Sequence, residues 1–154
     1  MALPEPLRVC YIQSVAYPER FIIPMREDLT RFGVEEARTP ADVDRLLAPG
    51  SGNVMMVVNS VCGCAAGKAR PAIGMALQHP NRPGKAATVF AGGDEEATAH
   101  LRAILKDYPP SSPSVALFKD GKPVFVLHRS DIEVRDAASI ARILSNAFDQ
   151  YCVQ

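Results

Sequence analysis

Apolar residues recur along this chain with two different spacings, and the changes between them mark out its elements. Phe21, Ile22, Met25, Leu29 and Phe32 share one stripe at helical spacing, which predicts a helix over Tyr17 to Phe32. Pro18 suits its first turn, Gly33 its end, and Pro24 is expected to kink it. Val34 to Arg38 reads as a short strand despite its two glutamates. Thr39-Pro40-Ala41-Asp42 has the form of a cap with proline at the first helical position, opening a short helix to Leu47. After the loop Gly50-Ser51-Gly52, the run Val54 to Val58 is apolar without alternation. That pattern belongs to a central strand covered on both faces, as in a parallel sheet.

Beyond it, small residues follow Cys62-Gly63-Cys64 in a predicted helix to about Gln78, interrupted or kinked at Pro71. Ala86 to Ala91 is a further short strand. Asp94-Glu95-Glu96 puts acid at the start of the next helix, where the dipole favours it, with a stripe of Ala97, Leu101, Ile104, Leu105 and Tyr108. A proline-rich segment, Tyr108 to Pro113, leads into two strands, Val115 to Lys119 and Val124 to His128. Asp120-Gly121 between them is a strong hairpin signal. The last helix, about Asp136 to Tyr151, carries Ile140, Ile143, Leu144, Ala147, Phe148 and Tyr151 on one face. The βαβ portion implies parallel strands with right-handed crossovers, and the hairpin adds an antiparallel edge. The expected fold is a thioredoxin-like α/β three-layer sandwich: a mixed central sheet, helices on both faces and an extra N-terminal helix. One domain is expected, with residues 1–16 as an extension and 17–33 as the extra helix.

Composition narrows the function classes. The 154 residues are 47% hydrophobic, enough for one core without disulfide staples. Seventeen basic and seventeen acidic residues, with no long run of either sign, give no electrostatic support for binding nucleic acid or an anionic membrane. Met1 to Pro6 lacks the basic and apolar segments of a signal peptide, and the longest strongly apolar run is far too short to span a bilayer. The expected location is the cytoplasm, where cysteines are more often catalytic or metal-binding than structural. Four cysteines, Cys10, Cys62, Cys64 and Cys152, are too few for a disulfide scaffold.

The pair Cys62 and Cys64 sits where a buried strand meets a helix, and there N–H groups and the helix dipole stabilise a thiolate. Three readings compete. The pair is merely two small residues at a strand end; it binds a metal, since adjacent thiolates take zinc or copper(I); or it does redox work. A closed zinc site needs four ligands, and His79, His100 and His128 are scattered. No metal or other cofactor is therefore expected. In the redox reading Cys62 attacks and Cys64 is the candidate resolving thiol, with Gly63 and the small residues after Cys64 leaving room for a disulfide partner. Lys68, one turn on, adds positive charge or is simply solvated. A disulfide spanning one residue closes a strained ring, which makes the oxidised pair reactive and favours isomerase or mixed-disulfide chemistry.

Pro113 directly precedes a strand and is expected to be cis, which places the neighbouring backbone of Ser112 and Ser114 beside the active sulfur as a substrate contact. Cys152 lies one turn after Phe148, so it either packs at a helix end or acts as a further resolving thiol for Cys62. Cys10 reads as structural or incidental.

Val58 to Gly67, with Ala69-Arg70-Pro71, closely resembles the bacilliredoxins, bacterial thioredoxin-like proteins with a Cys-Gly-Cys site. The similarity continues through Thr88 to Gly92, Tyr108 to Ser114, Lys119-Asp120-Gly121 and Phe148 to Cys152, leaving out the first dozen residues. The resemblance implies removal of bacillithiol, or a similar low-molecular-weight thiol, from mixed disulfides on proteins. Cys62 would carry the thiol as an adduct, with Cys64 or Cys152 helping to release it and a thiol or reductase recycling the protein. It also implies disulfide isomerase activity as an alternative; a non-catalytic metal-binding or redox-sensing module is the rival from another class.

Overall fold

Valine and methionine without alternation can fill a strand only if both its faces are covered, and here they are. The computed structural model describes residues 16–153. In chain order its elements are α1 (Glu19–Thr30), β1 (Glu35–Glu36), α2 (Pro40–Leu46), β2 (Asn53–Asn59), a π-helical turn (Ala65–Ala69) and α3 (Arg70–Ala76). There follow β3 (Lys85–Phe90), α4 (Glu95–Ile104), β4 (Ser114–Lys119), β5 (Lys122–Leu127), α5 (Arg129–Glu133) and α6 (Ala137–Tyr151). The sheet order is β1-β3-β2-β4-β5, with β2 in the middle. Strands β1 and β2 run parallel to β3, β4 is antiparallel to β2, and β5 is antiparallel to β4.

Alternate residues of β2 enter two separate cores. Met55 and Val57 join Leu29 of α1, Ile73 of α3 and Leu144 and Phe148 of α6. Val54, Met56 and Val58 join Val43 and Leu46 of α2 and Leu101 of α4. Burying each such side chain contributes about 1.5–3 kcal/mol, so every position of the run is tied to one face or the other. The expected three layers and extra N-terminal helix are what the chain forms. Among the described residues no helix is long and apolar enough to cross a membrane.

The local signals act as their chemistry requires. Thr39 accepts the N–H of Asp42, whose carboxylate accepts the N–H of Thr39, closing a capping box on α2. Asp120 and Gly121 both have positive φ, 49° and 82°, the requirement of a tight hairpin turn. A Cβ at Gly121 would also collide with the Leu47 carbonyl. Asp136 caps α6 through the N–H of Ser139 at 2.8 Å.

Several details differ from expectation. Helix α1 starts two residues later than Tyr17, whose N–H instead donates to the Gly92 carbonyl. It runs through Pro24 without a break. Phe21 is half exposed, and Arg26 takes the inner position that an apolar stripe would give to a hydrophobe. Its guanidinium donates to both carboxylate oxygens of buried Asp94, at 2.8 and 2.9 Å, and so bolts α1 to the start of α4. The interruption expected at Pro71 comes just before it, as a π-helical turn over Ala65–Ala69. Proline cannot donate to the Gly67 carbonyl, and the Arg70 N–H reaches back five residues to Ala65. Helix α5 was not anticipated, because five residues carry no readable period.

Candidate functional site

Asn59, the last residue of β2, is buried and both ends of its carboxamide are hydrogen-bonded. Nδ2 donates to the Met25 carbonyl of α1 at 3.1 Å, while Oδ1 accepts the Ser60 N–H at 2.9 Å and Nη1 of Arg70 at 3.1 Å. Arg70 is itself buried; its Nη1 also reaches the Ser60 carbonyl at 2.9 Å, and its Nε pairs with Asp28 at 3.0 Å. A buried guanidinium and a buried amide thus fix the turn that delivers Cys62. Both lie in the segments that carry the resemblance, but their part in holding the turn was not legible, since an arginine and an asparagine next to a motif look like any solvated pair.

The carbonyl of Cys62 accepts the N–H groups of Ala65 at 3.1 Å and Ala66 at 3.2 Å, so helical structure begins immediately after this residue. Cys62 and Cys64 are free thiols, both half-buried, with their sulfurs 2.9 Å apart. The Ser60 hydroxyl lies 3.4 Å from the Cys62 sulfur. Burial opposes ionisation of Cys62. The hydrogen bonds from Cys64 and Ser60, with the N–H groups of Ala65 and Cys64, outweigh it and hold its pKa below the ordinary thiol value. Cys64 goes the other way: burial, the hydrogen bond it gives to Cys62 and the charge of that sulfur all push it up. Of the two, Cys62 is therefore the thiol that ionises first, and Cys64 the one that keeps its proton longer.

The Ser112–Pro113 peptide is cis, as expected. Ser114 pairs with Val58 near the end of β2, which sets this loop at the same end of the sheet as the cysteines. Its hydroxyl donates to the Ser111 carbonyl at 3.0 Å. Arg129, the first residue of α5, closes the arrangement: its N–H donates to the Ser111 hydroxyl at 3.2 Å and its Nη1 to the Ser112 carbonyl at 3.3 Å. The sulfurs of Cys64 and Cys62 raise the pKa of this guanidinium, and Arg129 in turn opposes the upward push on Cys64. Arg129 was missed from sequence because it is distant in the chain from both motifs it joins.

Gly63 is exposed between the two cysteines and has no atom within 4 Å of where a Cβ would stand. Lys68 does not reach the sulfurs by hydrogen bond; its Nζ donates to the Glu133 carbonyl, tying α5 to the π-helical turn. Cys152 is not brought to the pair. It is buried at the end of α6, where burial raises its pKa against the nearby cation of Lys119. Lys119 pairs with Asn53, the first residue of β2, and its charge reaches Cys152, so Cys152 lies toward the end of the sheet away from the pair, along a strand roughly 20 Å long at ~3.3 Å per residue. Cys10 lies outside the described residues.

His79 pairs with Asp149 at 2.7 Å and His100 with Asp44 at 2.6 Å, while His128 stands before α5 against the Tyr108 ring. Among the described residues no group of three or more His, Cys, Asp or Glu is placed to hold a metal ion. The chemistry this end of the sheet offers is sulfur exchange.

Comparison with known proteins agrees. A family model described as "Disulphide isomerase" matches residues 17–152. A bacilliredoxin of Koribacter versatilis is 52% identical over 136 residues, covering 88% of this chain and 94% of its own length. A bacilliredoxin of Shouchella clausii is 45% identical over 142 residues, covering 90% of this chain and 98% of its own. Among solved structures, a thioredoxin from Malassezia sympodialis superposes with a TM-score of 0.56 at 14% identity, over 78% of this chain and 91% of that one. Thioredoxin O2 from Arabidopsis thaliana gives 0.51 at 16% identity, over 78% and 98%. At such identities the structural likeness speaks for the fold alone.

Proposed function

The chain belongs to the bacilliredoxin family, thiol–disulfide oxidoreductases of thioredoxin fold, and from that premise we propose that it removes bacillithiol, or a similar low-molecular-weight thiol, from mixed disulfides on proteins. The observation that carries the reading is the unequal pair: two free sulfurs 2.9 Å apart, one acidified and one not. Cys62 is the nucleophile. Its thiolate attacks the sulfur of the small thiol, a new S–S bond forms, and the protein sulfur leaves as a thiolate that takes up a proton. Cys64 then loses its proton and attacks Cys62, releasing the small thiol and leaving a Cys62–Cys64 disulfide. The pair gives up two electrons and the mixed disulfide gains them, so no cofactor is needed. Gly63 leaves the approach open, and the backbone of Ser112, Pro113 and Ser114 lines the substrate. A thiol or a reductase recycles the pair, and the cytoplasm is where such substrates would be met.

The test is intact-mass spectrometry after brief exposure of the reduced protein to a protein carrying a bacillithiol mixed disulfide. Transfer of the small thiol to Cys62, found by peptide mapping, is the expected result. Cys64→Ser should trap that adduct; loss of the first attack in this variant, with retention in Cys62→Ser, would reverse the two roles. The family description favours one further reading, a disulfide isomerase. That activity would reshuffle scrambled disulfides with no small thiol added.

A further inference from the structure

A nucleophile facing a mixed disulfide meets two sulfurs, and nothing in the pair itself decides which is attacked. Arg129 is placed to decide it. Its guanidinium stands on the rim between the Ser112 carbonyl, which its Nη1 holds at 3.3 Å, and the field of the two thiols. The rest of the guanidinium is lightly held. Nε is 3.4 Å from Glu133, in a pair whose side chains are each about half exposed, and Nη2 has no hydrogen-bond partner among the described residues. Such an exposed pair is weak and exchangeable, so an incoming carboxylate can displace Glu133 and meet the planar donor fork that carboxylates fit. The α5 backbone beneath is secured, by the Ser111 hydroxyl on the Arg129 N–H and by Lys68 on the Glu133 carbonyl. Lys68 leaves a second cation on the same rim, while Glu133 is the α5 carboxylate that competes for Arg129, Asp131 being paired with Arg135 instead.

We propose that Arg129 determines substrate specificity: it holds a carboxylate of an acidic small thiol and so presents that thiol's sulfur, rather than the protein's, to Cys62. This rests on the de-thiolation reading above. The step is the same exchange, with one S–S bond formed to the acidic thiol, one broken, and the protein leaving as a thiolate.

The test uses one carrier protein bearing 3-mercaptopropionate, 2-mercaptoethanol or cysteamine in mixed disulfide linkage, acidic, neutral and basic respectively. Each transfer rate is divided by the rate with dithiothreitol, which cancels the intrinsic reactivity of the disulfide. Wild-type protein should prefer the acidic thiol over the basic one by about fivefold, the scale of one exposed ion pair. The preference should shrink in high salt. Arg129→Gln should bring the ratio near one and raise the share of Cys62 found linked to the carrier protein, and Arg129→Lys should restore part of the preference. A general loss of thiolate reactivity moves neither the ratio nor the adduct identity. Equal normalised rates in wild type, or an unchanged ratio in Arg129→Gln, would overturn the role of Arg129 and leave the de-thiolation reading standing. Transfer from none of the three would overturn that reading and this one with it.

Discussion

The two ends of strand β2 hold the same functional group in opposite conditions. At the end that begins with Asn53, Cys152 lies buried among apolar side chains, its pKa raised, with only a nearby lysine to favour its charge. At the end that finishes with Asn59, Cys62 sits half-buried among a hydroxyl, a second thiol and backbone N–H groups, its pKa lowered. Desolvation acts against the charge at both. What separates them is the number of donors aimed at the sulfur, and those donors exist because a parallel strand ends where a helix starts. Reactivity in this protein is a property of the place and not of the residue.

The comparison breaks most completely with Cys62→Ser, which should abolish thiol transfer in the mass-spectrometric assay; normal turnover in that variant would remove the mechanism. Next comes the support beneath the site. Arg70→Met leaves the buried Ser60 carbonyl without its partner and should lower stability by about 2 kcal/mol in denaturant unfolding. It should also slow alkylation of Cys62 while leaving Cys152 as protected as before.

The pH dependence sharpens the contrast. Alkylation of Cys62 should rise with pH through a midpoint below the ordinary thiol value, and that of Cys152 only through one above it. The sign for stability follows. A lowered folded pKa at Cys62 contributes stability above its unfolded value that is lost as pH falls through the folded one. The raised values at Cys64 and Cys152 contribute stability at low pH that is lost as pH rises through theirs. Ser60→Ala removes one donor, so the Cys62 midpoint should move up and its alkylation at neutral pH slow by about threefold, one ordinary hydrogen bond. The smallest effect is expected from Cys152→Ser: transfer unchanged, and a cost of about 1 kcal/mol for a hydroxyl in an apolar pocket. A loss of turnover there would return Cys152 to the reaction.

Most of the layering was legible along the chain. The unbroken apolar run predicted the central strand, Asp-Gly the hairpin, and Thr39 and Asp136 the ends of two helices, because each of these signals acts over a few residues. Local too were Cys62-Gly63-Cys64 after a strand and Pro113 before one. What stayed hidden were polar residues whose partners are far away. Arg26 spoils an apolar stripe unless Asp94 is known to face it, 68 residues on. Arg70 and Asn59 look solvated until α1 packs over them, and the five residues of α5 gave no sign that Arg129 would arrive beside the thiols.

By itself, then, the sequence determined most of the elements, the order in which they occur and the pair of sulfurs at a strand end, since periodicity, capping and turn chemistry are short-range. Only the tertiary structure decided which donors acidify Cys62, that Arg129 joins the Ser112 carbonyl to the thiols, and that Cys152 ends at the other edge of the molecule. Those outcomes depend on strand order and on helix α6 running the length of the sheet. Residues 90 apart in the chain, such as Cys62 and Cys152, have no local interaction through which a sequence pattern could record their distance.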